Sequence, residues 1–219
     1  MKMNKKEIMD ILNFRHACKE FDPNKKITQD EFEIILEAGR LSPSSMGIEP
    51  WRFVVIENQE LKNELGAVCW GGKTQMPTCS HLVLYLGRTA KELRFNSDYT
   101  DYLLKDIKHL PTEVADKYKG IMKSIEDVRF TENKDLEKYS SEQVHIALAN
   151  MMNVAAMQGI DSCPIGGIDY KKVEKILVDK GLLDTEKFNI VSFVAFGYRV
   201  SDPQEKLRQS MDEVVDWVK

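Results

Sequence analysis

Residues 42–56, Ser-Pro-Ser-Ser-Met-Gly-Ile-Glu-Pro-Trp-Arg-Phe-Val-Val-Ile, pass from a loop into a strand and set the pattern of the fold. The segment from Ser42 to Ser45 breaks the helix that the preceding residues favour, because proline cannot continue a helix. Residues 51–56 form a short run of aromatic and β-branched side chains, which is typical of a buried strand. We therefore predict helix, loop and strand in this order.

Helices and strands alternate on both sides of this stretch. Capping boxes at Asn4–Glu7 and Thr28–Glu31 predict two helix starts. The apolar patterns predict helices at residues 4–14, 28 to about 41, 60–68, 142–158 and 170–179, and strands at residues 51–56, 81–86, 160–163 and 189–196. This alternation predicts a single domain over residues 1–219, of the α/β or the α+β class.

Two segments differ in composition from the rest. Residues 142–158 follow a Ser140-x-x-Gln143 helix start, end at Gly159 and are apolar on nearly every face. This pattern predicts a helix that is buried all round, inside the core or in an interface between subunits. Residues 90–139 are charged and weakly helical, with Pro111 as a helix start. We interpret them as a helical elaboration, either a lid or an inserted hairpin.

Charge and composition disfavour several classes of protein. The net charge of −4 gives no bulk attraction to nucleic acid or to an anionic membrane. No run approaches the roughly 20 apolar residues of a membrane span, and the N-terminus is typical of an amphipathic helix and not of a secretory signal. The four cysteines lack the spacing of metal ligands. We therefore predict free thiols, no metal site and a cytoplasmic location.

The sequence motifs of several other enzyme classes are absent. No GxGxxG follows the first strand, and there is no Walker loop, HExxH or GxSxG. The four histidines are scattered, which favours structural roles. Cys163 beside Pro164 suggests a thiol nucleophile, but no His/Asp partner is identifiable, so this interpretation is disfavoured.

Cationic side chains are concentrated in two loop segments. Arg15, His16 and Lys19 lie within five positions just after a predicted helix, and Lys206 and Arg208 form a second group near the C-terminus. Arginine suits bidentate phosphate binding, and lysine supplies a point charge. A phosphate site is the functional interpretation, and solvated surface charge is the structural alternative.

Two further segments contain small residues that allow a flat ligand to approach the backbone. The first is the serine loop, residues 43–47, and the second is Cys163 to Gly167, placed after a strand. Gly166 and Gly167 could present backbone N–H groups to a ligand. The structural alternatives are a plain helix-to-strand turn and a tight β-to-α connection.

Together these segments resemble the nitroreductase family. The family pattern R-H-x-x-K-x-F occurs at residues 15–21, P-S-S-x-x-x-x-P-W at residues 43–51, P-I-x-G at residues 164–167 and K-x-R at residues 206–208. The order and spacing match across about residues 5–210. Each motif is weak alone, but four in order are specific.

The resemblance implies an α+β, nitroreductase-like fold in which helices wrap a central, mostly antiparallel sheet. It also implies an intertwined homodimer with two FMN sites at the interface and C-terminal tails that embrace the other subunit. The implied cofactor-binding residues are Arg15, His16, Ala17, Lys19, Pro43, Ser44, Ser45, Met46, Gly47, Gln75, Pro164, Ile165, Gly166, Gly167, Lys206 and Arg208.

The resemblance also implies a role for each group of these residues. Residues 15–19 would hold the FMN phosphate, ribityl chain and ring edge, and Lys206 and Arg208 would close on the phosphate. The serine loop would come from the other subunit and pack near the dimethylbenzene side. Pro164 to Gly167 would lie over one ring face, with a backbone N–H near flavin N5.

The chain departs from the family pattern at several of these positions. Ala17 replaces a frequent hydroxyl residue, Gly47 an Asn, Glu49 a Gln and Gly166 a Glu. The mid-chain Asn and the Lys or Gln of the family correspond only loosely to Gly72 and Gln75. These departures affect the contacts to nicotinamide and substrate more than those to FMN.

The function implied by the resemblance is transfer of a hydride from NAD(P)H, through FMN, to nitroaromatics, quinones or similar conjugated acceptors. No protein acid or base is obligatory, because the flavin carries the chemistry. Met122, Ile125 and Phe130 are expected to line the roof over the flavin. The alternatives are reductive dehalogenation or flavin breakdown in the same fold, and a non-catalytic FMN-binding sensor or scaffold.

Overall fold

The computed structural model describes residues 3–219, and its centre is a four-stranded antiparallel sheet. The strands are β1 (Trp51–Ile56), β2 (His81–Arg88), β3 (Asp161–Ile165) and β4 (Phe188–Gly197), in the order β1-β2-β4-β3. The predicted strand at residues 51–56 is confirmed, and the other three shift or extend by one or two residues. Because every strand pair is antiparallel, the chain is α+β.

Helices surround this sheet. They are α1 (Lys5–Phe14), α2 (Gln29–Arg40), α3 (Gln59–Val68), α4 (Gln75–Thr78), α5 (Ala90–Leu93), α6 (Asp98–Tyr102), α7 (Thr112–Arg129), α8 (Asn133–Met157), α9 (Tyr170–Asp179) and α10 (Met211–Val214). A 3-10 turn at Ser45–Gly47 and a π-helical turn at Leu103–Ile107 complete the described elements. The predicted capping boxes are confirmed, since Asn4 and Thr28 each accept a bond from the backbone N–H three residues later.

The alternation of side chains along β2 divides the core into two layers. Leu82, Leu84 and Leu86 point into a cluster with α3 and α9, whereas Val83 and Tyr85 point into a cluster with α2 and α8. Successive strand side chains face opposite sides of a sheet, so β2 is buried on both faces. The expectation of a sheet wrapped by helices is confirmed.

The long helix α8 differs from its prediction at its start. It begins at Asn133, with Glu132 and Asp135 forming the capping box, and Ser140 lies buried in its interior. The predicted start at Ser140-x-x-Gln143 is therefore wrong, because the polar residues before it continue the helix. The end is as predicted, since Gly159 adopts the left-handed φ of +71° just beyond it.

A single chain does not bury this helix all round, so complete burial inside the core is excluded, and burial in an interface between subunits stays a prediction. Residues such as Val144, Leu148 and Met151 pack into the core, but the opposite side leaves Ile146 and Met157 exposed. Within residues 3–219, these two side chains stay 42% and 57% exposed.

A third, smaller apolar cluster holds the segment of residues 90–139 together. Leu93, Met122, Phe130 and Leu136 pack there against Ile48, which follows the serine loop. We call the unit formed by α5, α6, α7, the π-helical turn and the first turns of α8 the helical lobe. The lobe and the serine loop therefore form one packed body.

Two further classes of feature are absent from residues 3–219. None of their helices combines the length and apolar composition that a membrane crossing needs. No group of three or more His, Cys, Asp or Glu side chains in this range lies where it could hold a metal ion.

The four cysteines, Cys18, Cys69, Cys79 and Cys163, are buried and unpaired.

Candidate functional site

The N-terminal motif lies along β3, which is the outer strand on one side of the sheet. Ala17 forms a parallel bridge with Ser162, and the Cys18 N–H donates to the Ser162 carbonyl at 3.1 Å. This pairing places residues 15–19 beside residues 161–167. Two of the four sequence motifs, R-H-x-x-K-x-F and P-I-x-G, are thus neighbours in the fold.

The C-terminal motif reaches the same place. Lys206 donates from its Nζ to the Leu12 carbonyl at the end of α1. A cleft of about 410 Å³ lies between residues 16–20 and residues 201–204, and an adjoining cleft of about 360 Å³ is bordered by His16 and Lys206. The structure therefore brings three of the four motifs together.

The cationic side chains at this place crowd one another. The pKa of Lys206 is lowered, mainly by partial burial and further by the positive charges of Arg15 and Arg208. Lys19 lies near Cys163, whose pKa burial raises. Among the described residues, none of these four cations has a carboxylate within ion-pair distance. Clustered, uncompensated cations at a cleft are the donor set of an anion site.

A buried carboxylate that the sequence motifs do not indicate lies beside His16. Its Nδ1 lies 3.1 Å from the Phe14 carbonyl and 3.6 Å from Asp161 Oδ1. A carbonyl oxygen only accepts, so the hydrogen-bond network assigns the proton to Nδ1 and leaves Nε2 for a ligand. Asp161 is 4% exposed and lies at the start of β3.

Arg199 completes this buried group. Its Nη2 lies 2.9 Å from Asp161 Oδ1, close enough for an ion pair but without hydrogen-bond alignment, and its backbone N–H donates to Asp161 Oδ2 at 2.9 Å. The guanidinium also stacks over Phe14, 4.2 Å from the ring centroid. Asp161 and Arg199 therefore join the start of β3 to the segment after β4, beside Phe14 and His16. A charged residue in a predicted strand was a sequence signal for Asp161, and no predicted strand contains Arg199.

The P-I-x-G segment offers a smooth surface beside the cations. Cys163 to Ile165 belong to β3 itself, so the expectation that the whole segment follows the strand is wrong. Pro164 and Gly166 face outward, and a Cβ on Gly166 would meet nothing within 4 Å. Gly167 has no such room, since a Cβ there would lie 2.8 Å from the Gly71 nitrogen. A flat group fits over Gly166.

Gln75 lies at the start of α4, on the loop that packs against this segment. The Gly71 N–H donates to the Gly167 carbonyl at 3.0 Å, and a Cβ on Gly72 would lie 3.2 Å from Ile165 Cδ1. Gln75 is half-buried, three residues beyond Gly72. The structure thus places Gly72 and Gln75, which correspond only loosely to the family pattern, near the end of β3.

The serine loop is held by the helical lobe and not by the cationic cluster. Ser45 donates its N–H to Gln143 Oε1 at 2.8 Å, and Tyr118 donates its hydroxyl to the Met46 carbonyl at 2.6 Å. Within residues 3–219, no hydrogen bond or ion pair joins residues 43–47 to the motifs at residues 15–19, 164–167 or 206–208. The fourth motif is therefore separate in a single chain.

The three proposed roof residues belong to the same body as the serine loop. Met122, Ile125 and Phe130 border a narrow apolar cavity together with Met46 and Ile48. They do not contribute to the clefts beside His16. The candidate residues thus form two groups, one on the sheet edge and one on the helical lobe.

The cysteine thiols at this site do not have the lowered pKa that a thiol nucleophile needs. Burial raises the pKa of Cys18 to about 11 and also raises that of Cys163. A thiol with a raised pKa is protonated at neutral pH and is a weak nucleophile. The site instead combines grouped cations with an open surface at Gly166.

The four-stranded antiparallel sheet and its surrounding helices place the chain in the α+β class, and comparison with known proteins identifies the family within that class. Residues 12–198 match the family model described as "Nitroreductase family". The chain is 47% identical over 220 residues to "Putative NAD(P)H nitroreductase YfkO" of Bacillus subtilis strain 168, covering 98% of both chains. The chain belongs to the nitroreductase family.

Solved structures agree with this assignment of the fold. A nitroreductase-like protein of Streptococcus mutans superposes with a TM-score of 0.83 at 19% identity, over 99% of this chain and 100% of the other. A structure from Exiguobacterium sibiricum 255-15, described as a "putative nitroreductase in complex with FMN", gives a TM-score of 0.77 at 24% identity over all of both chains. The nitroreductase-like fold expected from the motifs is confirmed.

Proposed function

We propose that the protein is an FMN-dependent oxidoreductase that takes a hydride from NAD(P)H and reduces nitroaromatics, quinones or similar small conjugated acceptors. The observation that carries this proposal is the grouping of Lys206 with Arg15 and Arg208, on a segment that pairs with the strand leading to the open surface of Gly166. The name of the Bacillus subtilis relative, "Putative NAD(P)H nitroreductase YfkO", and the FMN in the Exiguobacterium structure support the same conclusion.

The residues present fit FMN. The group has one phosphate, which Arg15, Lys206 and Arg208 would hold by charge-assisted bonds. Its ring is flat, and the surface between Pro164 and Gly166 has no side chain that would obstruct a ring. Gly166 in place of the family Glu leaves this surface more open.

FMN, when bound, supplies the hydride chemistry, and the protein supplies binding and orientation. Arg15 and the two C-terminal cations would anchor the phosphate end. His16, with Nδ1 engaged by the Phe14 carbonyl, would direct Nε2 toward the ligand. Backbone N–H groups near Gly166 would stabilise negative charge on the ring, because fixed donors act strongly in a water-poor site.

The second half of each site would come from a second copy of the chain. The serine loop and the roof residues Met122, Ile125 and Phe130 lie on the helical lobe, apart from the cations. Helix α1 contacts α8, and the two helices leave apolar side chains exposed, Ile8 and Leu12 on α1 and Ile146 and Met157 on α8, which we take as one shared surface. We infer a homodimer in which this shared surface is the interface and each chain contributes to both sites.

A groove on one copy of the chain suits the apolar C-terminal tail of the other copy. A groove of about 530 Å³ lies between α2 and the outer strand β1, lined by Leu36, Trp51, Phe53 and Val55 among others. The tail exposes Val214, Trp217 and Val218, and Val215 is extended, with φ −134° and ψ 120°. An extended apolar segment matches an unpaired strand edge. We propose that each tail occupies the groove of the partner.

The cytoplasm is the proposed location of the protein. The support for it is the set of four buried, unpaired thiols, which suits a reducing compartment.

Replacing Arg15 by Ala is expected to weaken FMN binding about 10- to 100-fold, since a charge-assisted contact is worth roughly 1.5–3 kcal/mol. Lys5→Ala is the matched control, because Lys5 is exposed on α1 and has no role in the site. Fluorescence titration of the flavin-free proteins with FMN measures both affinities. Equal affinities for the two variants would show that the N-terminal motif does not bind the phosphate.

The function itself is tested by turnover. FMN-loaded protein is expected to oxidise NADH or NADPH at a rate that depends on an added nitroaromatic or quinone. Acceptor turnover with halogenated aromatics alone would favour reductive dehalogenation, and loss of the flavin itself during incubation would favour flavin breakdown. Bound flavin without any turnover would favour a sensor or scaffold.

A further inference from the structure

Lys108 is a half-buried cation at the serine loop that none of the described carboxylates compensates. It directly follows the π-helical turn, and its Nζ lies 3.4 Å from the Met46 carbonyl and 5.9 Å from the centre of the Tyr118 ring. The neighbouring lysines differ from it, since Lys105 and Lys119 both pair with Asp101, at 3.1 and 2.6 Å. Lys108 therefore has a weak carbonyl acceptor and spare charge.

The serine loop makes room for this ammonium group. A Cβ on Gly47 would lie 2.5 Å from Lys108 Nζ, a distance that real side chains do not adopt. Gly47 also has a left-handed φ of +58°, which glycine adopts without strain. The ammonium of Lys108 thus occupies the space that a side chain at position 47 would fill, on the loop itself.

Unusual backbone geometry is concentrated around the same point. Met46, Glu49 and His109 have φ values of 57°, 43° and 51°, and they are all of the non-glycine residues with positive φ in residues 3–219. A π-helical turn lies immediately before Lys108. Strained backbone and π-helical turns cluster where a protein positions a functional group. Tyr99 and Tyr118 hold the strained loop by donating to its carbonyls.

We propose that Lys108 is a specificity-determining residue that binds the carboxylate of an anionic aromatic acceptor over the flavin. This inference rests on the proposed function, because it places the serine loop of one chain at the ring bound by the other. The FMN phosphate has its own cations on the sheet edge, so Lys108 is free for a second anion. A lysine ammonium binds such a group as a compact point charge with three donors.

The test compares two acceptors of similar shape that differ in charge, 4-nitrobenzoate and 4-nitrobenzamide, with FMN-loaded dimer. Wild-type protein is expected to prefer the benzoate in kcat/KM. In Lys108→Met and in Lys108→Gln this preference should fall about 10- to 100-fold, as expected for loss of a charge-assisted contact. The kcat/KM for the benzamide should stay within about twofold in both variants, because the neutral acceptor makes no such contact.

Lys105→Met is the matched control, since it removes an exposed lysine three residues away that already has a partner. It should leave the preference unchanged. An unchanged preference in both Lys108 variants would overturn the proposal, as would an equal loss with both acceptors. A change confined to the discrimination between NADPH and NADH would assign Lys108 to the nicotinamide cosubstrate and would also overturn it.

Failure of the proposed function gives a different result. In that case no variant, including wild type, would reduce either compound. Calorimetric titration with 4-nitrobenzoate then decides the inference without turnover. Binding to wild type that weakens in both Lys108 variants and not in Lys105→Met would support the anion site, and equal binding by all four proteins would contradict it.

Discussion

Removal of residues 203–219 is expected to yield a monomer that does not retain flavin. The deletion removes Lys206 and Arg208, whose positive charges lie close to that of Arg15. It also removes Val214, Trp217 and Val218, which one chain leaves 59%, 80% and 98% exposed. Burial of each large apolar side chain in a partner groove would contribute up to about 1.5–3 kcal/mol. The deletion would therefore remove both the cations proposed to hold the phosphate and the apolar tail proposed to bind the partner chain.

Sedimentation and the flavin-to-protein ratio measure the two effects of the deletion. A double variant, Lys206→Ala with Arg208→Ala, separates them, because it keeps the apolar tail. This variant should lose flavin and remain a dimer. A truncated protein that still sediments as a yellow dimer would contradict both roles of the tail.

Replacing Asp161 by Asn is expected to lower the free energy of unfolding by about 3–5 kcal/mol, the usual cost of removing one partner from a buried ion pair. Asp161 is 4% exposed and is the carboxylate within ion-pair distance of both Arg199 and His16. The variant leaves the guanidinium of Arg199, 16% exposed, without its buried partner. Urea unfolding of the flavin-free protein measures this loss.

Asp179→Asn is the control for this experiment. Asp179 pairs with Lys175 on the surface of α9, with both side chains more than half exposed. Such exposed pairs contribute about 0–1 kcal/mol, so the control should be close to wild type. Equal stability of the two variants would show that the buried pair of Asp161 with Arg199 does not stabilise the fold.

Local patterns predicted the elements whose signals lie within a few residues. The boxes at Asn4 and Thr28 start α1 and α2 where the sequence indicates, since each cap is a contact between residues three apart. The start of α8 was missed because its first turns are polar and resemble a loop. Its apolar composition also did not reveal that Ile146 and Met157 lie outside the core of one chain.

The sequence predicted the motifs of the site one by one, but it did not predict how the fold arranges them. Arginine, lysine and glycine types identify the groups at residues 15–19, 164–167 and 206–208, but only the folded chain brings them together, through pairing with β3 and the contact of Lys206 with α1. The missed residues depend on distant contacts: Arg199 meets Asp161 across 38 residues, and Lys108 meets Met46 across 62. Tertiary packing determines their partners, and no short sequence spacing indicates these contacts.

The central claim is that this chain holds FMN and that NAD(P)H reduces it there. The most direct measurement is the visible absorption spectrum of FMN-loaded protein without oxygen, recorded before and after addition of NADH or NADPH. The account predicts that the oxidised flavin band disappears with one or both nicotinamides and returns when a nitroaromatic or quinone is added. A flavin band that neither NADH nor NADPH changes, in protein shown to hold FMN, would contradict it.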